Sequence, residues 1–128
     1  MFDIANNISP VLAFSPAVLA ATTTGAAIDL QGFGSGAVVI TTGAIVGAGD
    51  FTAKLQESDT TTSGDFTDIA AGNVYASNLV ATLIADSTYK IGFRKLKRYV
   101  RVVLTKNGGT SLAAGAVVIR GDAMLLPA

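Results

Sequence analysis

Residues 93–104 read FRKLKRYVRVVL, and the spacing within them decides the fold class. Val100, Val102 and Leu104 fall on one face, while Tyr99, Arg101 and Val103 fall on the other. That period of two marks a strand with one buried side. Just upstream, Arg94, Lys95, Lys97 and Arg98 form a basic corner. Five of the nine basic residues thus lie between Arg94 and Arg101, with Lys90 and Lys106 flanking them.

Working outward, the same alternation recurs. Tyr89, Ile91 and Phe93 are expected to face inward, with Lys90 and Arg94 outward. Phe51, Ala53 and Leu55 alternate with Thr52, Lys54 and Gln56. Residues 58–65 (SDTTTSGD) then form a polar tip, and residues 66–69 begin the return strand of a hairpin. Residues 17–21, 26–30 and 37–42 read as further short strands. A turn over 43–50 follows, and Ala44-Ile45-Val46 is a candidate extension of the sheet. The glycine-rich QGFGSG at 31–36 fails as a phosphate cradle, because a β run follows it where a helix is required. Residues 74–76 and 79–84 read as strand, although Leu79, Val80, Leu83 and Ile84 also fit one helical turn. Lys106-Asn107-Gly108-Gly109 signals a tight hairpin returning as a strand over 114–120, before an apolar tail of Met124, Leu125 and Leu126. The pattern predicts an all-β domain, a β-sandwich or jelly roll of about eight to ten short antiparallel strands.

Residues 1–16 fit neither period. Pro10 and Pro16 favour extended backbone, so this stretch reads either as an extended N-terminal arm reaching a partner surface, or as a frayed terminus or lead-in strand. The expected division is an arm over 1–16 and a sandwich domain over 17–128.

The 128 residues suffice for one domain that buries a core without disulfides or metal. Nine basic and nine acidic residues balance. The uncharged runs 4–28 and 30–49 are broken by Asn and Pro, or by Gly, and neither is a continuous apolar helix of spanning length. Asp3 is the sole charge before Asp29, where a secretory signal would begin basic. A soluble chain made in the cytosol is the expectation, with no membrane partner.

Most enzyme classes lack their parts. Without histidine or cysteine there is no Ser-His-Asp triad, no thiol nucleophile and no ordinary zinc site. Glu57, Asp59, Asp65 and Asp68 do not follow the spacing of a helix–loop–helix calcium site. On an exposed tip, little would raise a carboxyl into the range of a general acid. The expectation is a protein that is not an enzyme and holds no metal or cofactor. Charge is unevenly placed, however. Five of nine acidic residues fall within 50–68, and seven of nine basic ones within 90–106. These are either solvated faces, or complementary patches that dock copies of this chain on each other or on an acidic protein lattice. A lone Tyr99 in the basic corner and a neutral total argue against nucleic acid.

From residue 28 onward the chain resembles a family of small tailed-bacteriophage virion proteins encoded with the head genes. The likeness rests on Asp29-Leu30-Gln31-Gly32, on Lys54-Leu55-Gln56-Glu57-Ser58-Asp59 followed by Phe66-Thr67-Asp68, and on Lys97-Arg98-Tyr99-Val100-Arg101-Val102. It implies a capsid decoration, or cement, protein on the outer surface of the head, bound to the major capsid protein as a homo-oligomer, a trimer. On that reading Phe2, Ile4, Ile8, Val11, Leu12 and Phe14 of the arm lie at capsid or intersubunit contacts. Arg94, Lys95, Lys97, Arg98 and Arg101 of the basic corner join them. The same resemblance leaves a tail or head–tail connector component as an alternative. The strand over 98–102 also resembles one in discoidin-type carbohydrate-binding jelly rolls. A sugar platform wants exposed aromatics, whereas Trp is absent and Tyr75, Tyr89 and Tyr99 are mostly assignable to strands.

Overall fold

In a computed structural model, which describes residues 3–76 and 81–125, the alternating part of the decisive motif, residues 99–104, lies in a strand near the centre of one of two sheets. The described strands in chain order are β1 (Ile8–Leu19), β2 (Thr23–Thr24), β3 (Ile28–Asp29), β4 (Phe33–Val46), β5 (Asp50–Ser58), β6 (Thr67–Asp68), β7 (Val74–Ala76), β8 (Thr88–Phe93), β9 (Tyr99–Gly108) and β10 (Ser111–Ala123). Sheet I has the order β1-β10-β4-β8-β7, and sheet II the order β2-β9-β5-β6, with β3 also paired to β9. Every pairing is antiparallel. The chain is an all-β sandwich, as its alternation predicts.

The core lies between the sheets. Sheet II contributes Phe51, Leu55, Val100, Val102 and Leu104, and sheet I contributes Val38, Ile40, Ile91, Leu112 and Val118. Each fully buried aliphatic side chain of this kind contributes about 1.5–3 kcal/mol relative to exposure. The inward residues of β5, β8 and β9 are those the period of two selects, and Tyr89, Ile91 and Phe93 are all buried. Val103, expected on the outer face, is also buried, flanked by Thr24 and Lys54 on the neighbouring strands. The hairpin after β5 forms as expected, with Gln56 opposite Asp68 and Glu57 opposite Thr67. Ala44-Ile45-Val46 does extend the sheet, as the end of β4.

Several local expectations are corrected. The boundary after residue 16 falls inside β1, which pairs with β10 from Ile8↔Gly121 to Leu19↔Leu112. Residues 8–16 are therefore an edge strand of the sandwich and not a free arm, with Ala13 only 2% exposed. An edge is where this strand belongs, because Pro10 and Pro16 have no N–H to give to a second neighbour. The glycine-rich loop is also shorter than 31–36, since β4 already begins at Phe33.

The Asn-Gly signal does not make a hairpin. β9 pairs with β5 in sheet II, while β10 pairs with β1 and β4 in sheet I. The chain changes sheets through Gly109, whose φ is +73°. The turn between β4 and β5 makes the opposite change, and the two corners pack backbone on backbone. A Cβ on Gly109 would be driven into the carbonyl oxygen of Ala48.

Residues 81–84 are not strand, and 79–80 lie outside the described residues. Leu83 is a buried plug whose N–H donates to Phe51 O at 2.9 Å, and Ile84 N–H donates to Tyr89 Oη at 2.8 Å. Scattered acceptors satisfy this backbone where a strand would use a ladder.

Candidate functional site

Strand register brings five distant segments to one end of the sandwich. β1 starts there opposite the close of β10 (Ile8↔Gly121), and β4 starts there with Phe33 opposite Ala123. β8 ends there with Phe93 opposite Gly36. β9 begins there with Tyr99 between Asp29 and Ser58. The N-terminal lead, the loop after Asp29, the hairpin tip after Ser58, the 94–98 corner and the C-terminal segment thus share one surface.

Two arginines organise it. Arg98 donates to both carboxylate oxygens of Asp29, from Nε at 3.0 Å and from a terminal nitrogen at 2.9 Å. The Gln31 N–H donates to the same carboxylate at 2.9 Å. The Arg98 bonds first, and the Gln31 N–H second, lower the Asp29 pKa to about 2, outweighing partial desolvation. Arg120 donates to Asp29 O at 3.1 Å, to Ser9 Oγ at 2.7 Å and to Ser9 O at 3.4 Å, and stacks 4.5 Å above the Phe33 ring. One side chain on β10 thereby ties β1, β3 and β4 together.

The expected contact residues divide into three groups. Lys95, Arg98 and Arg101 have internal partners. Lys95 Nζ donates to Leu30 O at 3.0 Å and Phe33 O at 2.8 Å. Arg101 donates to Gln56 Oε1 at 2.8 Å and Ser63 Oγ at 3.1 Å, with its guanidinium over the Phe66 ring. Exposed Arg94 and half-buried Lys97 stand on the same corner. On the N-terminal side, Ile4 is exposed at this end and Ile8 is half-buried, whereas Val11 and Phe14 pack against the core. Leu12 projects from the outer face of sheet I, and Phe2 lies outside the described residues.

The surface also carries apolar residues that sequence reading left as a tail or did not single out. Met124 and Leu125 are 79% and 84% exposed, and Leu96 is more than half exposed. A shallow cleft of about 570 Å³ runs between the Gln31–Phe33 backbone, Lys95 and this C-terminal pair. The structural role of Arg120 also went unread, although a signal existed. It falls in the same register as inward Ala114, Ala116 and Val118, where an arginine needs partners.

The acidic hairpin shares this end, so the acidic and basic segments are neighbours in space. Arg101 reaches Ser63 on the hairpin, and Lys54 meets Asp68 at 3.4 Å. The Asp68 pKa is lowered chiefly by donation from Gln56 Nε2, at 2.9 Å, with Lys54 adding to it. Among the described residues, no group of three or more carboxylates is placed to hold a metal ion.

No protein-family model matches the chain, and no curated protein matches it in sequence. Among solved structures it is similar to YomS, a protein derived from the SPBc2 prophage. The TM-score is 0.56 and the identity 13%, over 89% of this chain and 92% of that one. This likeness shows a shared fold. A looser superposition is with the structure of the Gx strain of infectious bursal disease virus. There the TM-score is 0.46 at 15% identity, over 94% of this chain and 34% of that one, which is too loose to carry an argument.

Proposed function

We propose that this chain is a non-enzymatic structural protein of a bacteriophage particle, and that it decorates the outside of the head as a homo-oligomer docked on the major capsid protein. The observation that carries the reading is the composition of the surface just described. Exposed Ile4, Leu96, Met124 and Leu125 share this end of the sandwich with Arg94 and Lys97. The Arg98–Asp29 pair anchors the basic corner, and the Met124 N–H donates to Gly32 O at 2.9 Å. Apolar residues flanked by a basic corner and an acidic hairpin suit a standing contact with a protein lattice of complementary charge, since the apolar part adds affinity and the charges steer encounter. The fold shared with a prophage-derived protein supports a phage setting. Many symmetry-related copies, each held modestly, would reinforce a shell through linked occupancy.

The test is addition of purified chain to emptied heads of the phage that encodes it. Saturable occupancy and a raised shell melting temperature are expected. The double variant Arg94→Glu, Lys97→Glu should lower occupancy and flatten its salt dependence, and Leu96→Asp should weaken binding at all salt concentrations. Heads that take up no chain, or that bind both the double variant and Leu96→Asp as well as the native chain, would sink the reading.

A further inference from the structure

The two outer faces of the sandwich differ in kind. On sheet I the register sets Leu12, Val117, Val39 and Lys90 in one row across β1, β10, β4 and β8. The next row is Pro10, Ile119, Ala37 and Gly92, and Tyr75 on β7 completes it. Val39 and Val117 alternate with the fully buried Val38 and Val118, so both rows point away from the core. Lys90 is the single formal charge in them. Leu12 is 52% exposed and Tyr75 58%. Towards the far end Pro16 sits over Gly115, where a Cβ would come within 2.9 Å of its ring. A shallow groove of about 410 Å³ follows, lined by Pro16, Val18, Thr41, Gly43 and Ala113. Sheet II presents the opposite chemistry: Lys54, Gln56, Asp68 and Arg101 are bonded to one another or to the hairpin.

We infer that the outer face of sheet I packs against the same face of a second copy of this chain. Area is the first reason. Four strands at about 4.8 Å spacing and about eight residues of length present roughly 500 Å² per copy, or about 1,000 Å² for a pair, which reaches the range of specific association. Charge is the second. A face with one cation offers a charged partner almost nothing to pair with, whereas its own image meets it with matching apolar rows. The third is what the edges forbid. β1 carries two prolines, β7 has three residues, and the outermost strands of sheet II have two each. Such edges do not extend a sheet into a neighbouring molecule. Stacking face on face remains, at the aligned angle that sheet twist imposes. A face that meets itself joins chains in pairs, so this arrangement predicts a dimer where the phage-family resemblance implies a trimer. The inference stands apart from the capsid reading and is tested without capsids.

Sedimentation equilibrium of the isolated full chain, from about 1 to about 100 µM, should give a species of twice the 12.9 kDa chain mass. Leu12→Lys and Thr41→Lys replace exposed side chains on this face, so each should fold with an unchanged far-UV spectrum. Each should raise the dimer Kd by about 100-fold or more. Lys54→Glu on sheet II should leave the Kd as it was. A monomer throughout the range, a trimer, or a dimer indifferent to both lysine substitutions would overturn the inference. Failed capsid binding by an intact dimer would instead count against the decoration reading alone.

Discussion

Arg98 and Asp29, 69 residues apart in the chain, meet through two parallel hydrogen bonds of 3.0 and 2.9 Å. This forked contact closes the start of β9 on β3, and it fixes where the basic corner stands.

Its consequence for pH has a definite sign. The Asp29 carboxyl is held at about 2 in the folded chain, against an ordinary value of 3.8. A depressed folded pKa means stability that is fully present above the ordinary value and lost as pH falls through the folded one. The melting temperature should therefore decline between about pH 4 and pH 2. Asp29→Asn should lower it by only a few degrees at neutral pH, because the pair is nearly half exposed and screened by water. The same variant should flatten the decline in that acid window. Melts of both proteins across the range check this, and parallel profiles would show that Asp29 does not carry it.

Arg120 should matter more than any other cation. Its three hydrogen bonds end on Ser9 and the Asp29 carbonyl, and its plane covers Phe33. Arg120→Ala strands those acceptors at a part-buried site and uncovers the ring, at an expected cost of about 2–3 kcal/mol. Arg120→Lys restores the charge but not the fork, and should recover little of the loss. Urea melts of the two variants give the comparison. Full recovery by lysine would mean that charge alone matters there.

Gly109 is constrained twice, by its positive φ and by the Ala48 carbonyl lying where a Cβ would go. Gly109→Ala should destabilise by about 2 kcal/mol or more, since the corner between β9 and β10 must open to admit it. Gly108→Ala, one residue earlier and with open space around the new Cβ, should cost far less. Equal losses from the two would remove the corner as the cause.

How much of this was legible follows from where each constraint originates. β5, β8 and β9 announce themselves because polar residues such as Lys54, Lys90 and Arg101 alternate with buried ones. β4 and β10 carry apolar residues on both faces, so their strand character shows while their inward side does not. Asn107-Gly108 is a truthful signal of a turn, but which strand the chain meets afterwards depends on Ala48 and Gly49, some sixty residues away. Leu83 reads as β because its neighbours are β-branched or aliphatic, and only the sandwich end it fills makes it a plug. The candidate surface was half visible. Arg94 to Arg98 stand out as a charge run, whereas Asp29, Arg120 and Met124 join them only through strand register.

The N-terminal segment offers the sharpest separation between an arm and a strand. Deleting residues 1–7 leaves β1 whole, so the melting temperature should move by no more than about 2 °C. Deleting 1–15 removes the partners of β10 from Gly121 to Ala116, takes Ala13 out of the core and leaves Arg120 without Ser9. The outer edge of β10 would then be a long apolar ladder open to other chains. The longer deletion should therefore abolish the cooperative melt and drive aggregation. Circular dichroism and light scattering on the two truncations decide it. A soluble 16–128 fragment with the native melting temperature would return residues 8–15 to the role of a detachable arm.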